Sequence, residues 1–125
     1  MAEVAMTGDR VAIAFSTWER IWTRRAEVSV PLAAIDRAAC VDAPLRVARG
    51  GHRGLLVSGY TKIGVWGVLR GPRQLVSVRR RPALHLTLNR GVTGDRFDEI
   101  VLSHPDAARL TQRIRQAVRG PATPA

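Results

Sequence analysis

Between Arg10 and Phe15 the chain alternates, with Val11, Ile13 and Phe15 on one side and Arg10, Ala12 and Ala14 on the other. That is the period-two signature of a half-buried strand. The next residues change period. Ser16 stands three before Glu19, the spacing of a capping box, and Trp18, Ile21 and Trp22 fall on one helical face, predicting a two-turn helix whose tryptophans anchor a core. A strand with Trp18, Arg20 and Trp22 on one side satisfies the same residues, so the pattern leaves both readings open.

Further along, Glu27 to Leu32 sets Val28 and Val30 against Glu27 and Ser29, with Pro31 suited to an edge or a bulge. Ala34 to Val41 and Leu45 to Ala48 are short strand candidates around a turn at Asp42-Ala43-Pro44. Gly50-Gly51-His52-Arg53-Gly54 reads as a flexible basic loop. Leu55 to Ser58 and Ile63 to Leu69 read as strands flanking a turn at Gly59 to Lys62, and Gly71-Pro72-Arg73 as another turn. Gln74 to Arg79 and Ala83 to Asn89 are strands joined by Arg80-Arg81-Pro82, which predicts a hairpin with a basic tip. After a loop over Asn89 to Arg96, Phe97 to Leu102 alternates as the last strand.

Ser103-His104-Pro105-Asp106 supplies a capping hydroxyl, a first-turn proline and an acid at the positive helix end. From there Ala107, Leu110, Ile114, Ala117 and Val118 form one apolar stripe until Gly120-Pro121 stops the helix. The expected fold is therefore mainly β within the α+β class. It is a bent antiparallel sheet or partly open barrel of about seven strands, with a C-terminal amphipathic helix. Residues 1–9 read as an N-terminal arm, 10–119 as the domain and 120–125 as a flexible tail.

The 125 residues suit one domain, and 46% apolar with 24% charged residues is an ordinary globular balance. Continuous apolar runs stay far below the roughly 18 residues that cross a bilayer. The start Met-Ala-Glu-Val lacks the basic-then-apolar order of a signal peptide. With Cys40 alone, no internal disulfide and no C-x-x-C zinc pairing can form, so a reducing cytoplasm is expected, peripheral at most to the inner membrane face. Cys40 sits in Ala38-Ala39-Cys40-Val41, the setting of a buried structural thiol.

Several segments together carry a likeness: Thr17-Trp18-Glu19-Arg20-Ile21-Trp22, Val30-Pro31-Leu32, Gly64-Val65-Trp66, the run Ala83 to Leu88, Phe97-Asp98-Glu99-Ile100-Val101 and Pro105-Asp106-Ala107. Across residues 10–118 their order and spacing resemble the bacterial pleckstrin-homology-like domains of the small actinobacterial type. The resemblance implies a barrel or bent sheet serving as a binding or assembly platform, with no enzymatic role, cofactor or fixed ligand. Eukaryotic relatives that bind phosphoinositides concentrate basic residues between their first two strands. Here that segment mixes Arg20, Arg24 and Arg25 with Glu19 and Glu27, so phosphoinositide specificity does not carry over.

Charge changes the picture most. The formal net charge is +10, and its distribution is uneven. Residues 1–45 hold five Arg against six carboxylates and residues 91–125 five Arg against four, whereas Arg46 to Arg90 holds nine Arg and Lys62 with no carboxylate. Such a block attracts anions. Arg46, Arg49, Arg53, Arg79, Arg80 and Arg81 are the candidate contacts, offering bidentate grips to carboxylate or phosphate. The expected partner is an acidic protein surface or anionic lipid head groups. Nucleic acid is the alternative, although the basic block carries only Tyr60 and Trp66 for stacking. Self-association through an exposed sheet edge also stays open. Catalysis is not expected: the chain has no G-x-S-x-G elbow, no Walker loop and no H-E-x-x-H. His52, His85 and His104 sit on three separate segments, and Asp98 and Glu99 point to opposite strand faces.

Overall fold

A computed structural model describes residues 2–42, 52–57, 61–66, 73–79, 82–89 and 97–118. The elements in chain order are β1 (Glu3–Thr7), β2 (Arg10–Ala14), α1 (Thr17–Thr23), β3 (Glu27–Pro31), a 3₁₀ turn (Leu32–Ala34), β4 (Ile35–Val41), β5 (His52–Val57), β6 (Thr61–Trp66), β7 (Gln74–Arg79), β8 (Ala83–Leu88), β9 (Glu99–Ser103) and α2 (Ala107–Val118). The protein is mainly β with two helices, one of them C-terminal. Its strands form a three-stranded sheet, β1-β2-β3, and a six-stranded sheet, β4-β8-β9-β7-β6-β5, which do not close into a barrel.

Two sequence expectations change at once. Glu3–Thr7, ahead of the first expected strand, is itself a strand paired antiparallel to β2, with Val4 opposite Ile13 and Met6 opposite Val11. The hairpin expected of β7 and β8 does not form, because β9 lies between them, parallel to β7 and antiparallel to β8. Neighbouring strands are about 4.8 Å apart, so β7 and β8 stand about 10 Å from each other, and a three-residue link reaches that far. The same link therefore closes a hairpin or steps over one strand. What decides is β9, whose Ile100, Val101 and Leu102 are all buried and need a strand on each side.

Two glycines belong to the β5–β6 pair. The segment expected as a loop through Gly54 is strand from His52 onward, and Thr61 and Lys62, expected in a turn, begin β6. Gly54 pairs with Gly64, and a Cβ on Gly54 would meet the Ile63 carbonyl oxygen at 2.2 Å. These glycines let two backbones approach closely instead of releasing the chain. The expected strand at Leu45–Ala48, the turn at Gly71-Pro72 and the 120–125 tail lie outside the described residues.

The main core joins both sheets and α2. Val11, Ile13, Val28 and Val30 of the small sheet share it with Leu75, Leu84, Leu86, Ile100 and Leu102 of the large one and with Leu110 and Ile114. The opposite face of the large sheet carries a second cluster of Trp66, Val76, Val78, Ala83 and Val101. On α2 the expected stripe buries Ala107, Leu110 and Ile114, whereas Val118 is exposed. Ser103, expected as the cap of that helix, lies in β9, and its hydroxyl accepts from the Arg79 amide at 2.9 Å, which ties β9 to β7. Cys40, expected buried, is exposed on β4.

Candidate functional site

Helix α1 is built as the sequence proposes, but it is turned over. Ser16 caps it: its hydroxyl accepts from the Glu19 amide at 3.3 Å, and its own amide donates to Glu19 Oε1 at 2.9 Å. The other Glu19 oxygen accepts from the Ser77 hydroxyl of β7. Thr23, one turn on, donates to the Glu19 carbonyl at 2.9 Å. Glu19 and Thr23, at the i and i+4 positions, are therefore the buried stripe of α1, which lies against β5, β6 and β7 and is tied to β7 by the Ser77–Glu19 hydrogen bond.

The apolar stripe consequently faces water. Trp18 is 52% and Ile21 55% exposed, correcting the expectation that both sit in the core. Trp18 meets half-buried Trp22 edge to face, with ring centroids 6.0 Å apart. Arg20 and Arg24 are exposed on the same short helix and its cap. Arg20 donates Nε to the Phe15 carbonyl at 3.0 Å. Arg24 is left-handed at φ 60°, ψ 29° and donates its amide to the Arg20 carbonyl. Arg25 turns inward and lays its guanidinium over the Phe97 ring, 4.7 Å from the centroid.

Of the six arginines expected to form the binding surface, Arg46, Arg49, Arg80 and Arg81 lie outside the described residues. Arg53 is placed only as main chain in β5, opposite Val65. Arg79 is exposed at the end of β7. Other exposed guanidiniums come from segments that are near-balanced in sequence: Arg20 and Arg24 beside α1, Arg37 on β4, Arg109 and Arg113 on α2. Among the described residues none of these meets a carboxylate, and Arg10 and Arg115 place Nε on the Ser29 hydroxyl and the Ala38 carbonyl, both at 2.8 Å. Several carboxylates are engaged by other donors. Glu19 takes the Ser16 amide and the Ser77 hydroxyl, Asp98 takes the Arg73 amide at 2.8 Å, and Glu99 contacts His85. Glu3, Asp9, Glu27, Asp36, Asp42 and Asp106 are exposed as well, so what sets these arginines apart is the lack of a carboxylate contact among the described residues.

The other face of the large sheet holds the remaining chemistry. Thr87, Glu99, Gln74 and Trp66 line up across β8, β9, β7 and β6, with the partly buried His85–Glu99 pair beside them. Lys62 reaches over Trp66, 5.9 Å from the ring, and burial lowers its pKa. No group of three His, Cys, Asp or Glu gathers there or elsewhere among the described residues. Comparison with models of known protein families, with curated proteins and with solved structures finds no match. No described helix is long and apolar enough to cross a membrane.

Proposed function

We propose that the chain is a non-enzymatic binding module that docks a basic surface onto an anionic partner, an acidic protein face or anionic lipid head groups. The observation carrying this reading is that, among the described residues, no carboxylate is paired with an exposed arginine, while Glu19 and Asp98 accept hydrogen bonds from backbone and hydroxyl donors. Guanidiniums left in this state keep their full attraction for carboxylate and phosphate. A pleckstrin-homology-like platform, as the sequence resemblance implies, suits such docking.

The test is titration of the chain with polyglutamate and with vesicles containing phosphatidylglycerol, at about 0.05 and 0.15 M NaCl. Sub-millimolar binding to at least one, weakening with salt, is expected. Failure with both at the lower salt would end this reading.

A further inference from the structure

We infer that the outer face of α1 is a membrane-docking wedge, with Trp18 and Ile21 entering the interface of an anionic bilayer and Arg20 and Arg24 holding its phosphates. This rests on the reading of the chain as an anion-docking module and names the surface and the partner. The reversed helix is the starting point. A helix that buries Glu19 and Thr23, bonds the sheet through Glu19 and turns Trp18 and Ile21 to water leaves these two apolar groups for something else. Its single acid, Glu19, is buried, so the outer face of Thr17, Trp18, Arg20, Ile21 and Arg24 carries only apolar, hydroxyl and cationic groups.

That composition selects a bilayer. Indole prefers the head-group level, an aliphatic side chain lies deeper, and arginine at the rim meets phosphate. Two side chains on a short helix are too small a patch for a protein interface, which wants some 20 residues a side. A lipid surface needs no complementary pocket and accepts Ile21, whereas a single-stranded nucleic acid would use only the stacking face of Trp18. Arg24, exposed at the left-handed end of α1 where glycine is the favoured residue, supplies the second cation of this face.

The experiment uses the full chain with phosphatidylcholine vesicles, with and without phosphatidylglycerol, read by co-sedimentation and by quenching of tryptophan fluorescence with bromine-labelled lipid. Wild type should bind the anionic vesicles and be quenched. Trp18→Ser/Ile21→Ser should bind at least about tenfold more weakly and lose most of the quenching, while its binding to polyglutamate is unchanged. Both side chains are exposed, so the thermal midpoint should hold, and Ile21→Ser alone, which keeps every tryptophan, should lose affinity in the same direction. Vesicle binding by the double variant equal to wild type would overturn the inference and leave anion docking intact. So would wild type that binds polyglutamate but not vesicles, or that uses Trp18 to bind oligothymidylate in preference to lipid. Wild type that binds no anionic probe would remove the underlying reading as well.

Discussion

The carboxylate of Glu19 accepts a hydrogen bond from the hydroxyl of Ser77, fifty-eight residues away, and so fastens α1 to the middle of the six-stranded sheet. With the Ser16 amide on its other oxygen, the buried carboxylate is both half of a capping box and the anchor that sets the helix face. Glu19→Ala removes both and leaves the Ser77 hydroxyl buried without this acceptor. It should cost about 2–4 kcal/mol in urea unfolding. Ser77→Ala, which removes the donor and leaves the cap, should cost about 1–2 kcal/mol. Equal, negligible effects would show that α1 is held by something else.

Arg24 separates stability from binding. Its left-handed backbone costs about 1 kcal/mol that glycine would not incur. Arg24→Gly should therefore raise unfolding stability by about 0.5–1 kcal/mol, part of the gain being offset by the freer unfolded chain. The same variant should bind phosphatidylglycerol vesicles about fivefold more weakly, the worth of one cation at an anionic surface. A variant that is more stable and binds equally well would place Arg24 outside the contact.

The two glycines with open and crowded surroundings make a matched pair. Gly54→Ala drives a Cβ into the Ile63 carbonyl and the Gly64 Cα, 2.2 and 2.8 Å away, and the clash is with backbone that cannot rotate aside. A loss above about 3 kcal/mol is expected. At Gly8, φ is +60° but nothing lies within 4 Å, so Gly8→Ala should cost only about 1 kcal/mol. Chemical denaturation of the two variants side by side checks the ordering, and Gly8→Ala proving the costlier would contradict the β5–β6 pairing.

Lys62 gives a pH dependence with a definite sign. Burial lowers its pKa below the ordinary 10.5, so over the window between the folded and unfolded values the unfolded chain binds more protons. The charged ammonium is a cost below that window, and the cost fades as pH rises toward 10.5. Lys62→Met lacks this term. Its stability relative to wild type should therefore be greatest near neutrality and shrink as the pH climbs, measured by urea unfolding of both proteins at each pH. A difference that widens with pH would reverse the assignment.

Local pattern was legible where a side chain's role ends within a few residues. Ser16 and Glu19 announce the cap, Gln74 to Arg79 and Ala83 to Leu88 announce strands, and Leu110 and Ile114 announce the buried face of α2. Pairing was not legible, because alternation in β7 and β8 says which residues share a face and not which strand lies alongside. Nor could Gly54 be separated from a loop glycine without Gly64 opposite it. For the candidate site, Trp18 and Ile21 are spaced for burial, and the partner Ser77 that receives the buried Glu19 lies far along the chain. The charge block pointed to residues 46–90, yet Arg20 and Arg24 lie in a segment near-balanced in sequence, where Glu19, the one acid of α1, is buried and both arginines are exposed.

The most direct measurement is the affinity of the wild-type chain for phosphatidylglycerol vesicles as NaCl rises from about 0.05 to 0.5 M, beside pure phosphatidylcholine vesicles. Unpaired guanidiniums acting on lipid phosphates predict binding that needs the anionic lipid and falls steeply with salt, leaving a weaker apolar remainder from Trp18 and Ile21. Binding that is absent, indifferent to salt, or equal on the neutral lipid would contradict the account.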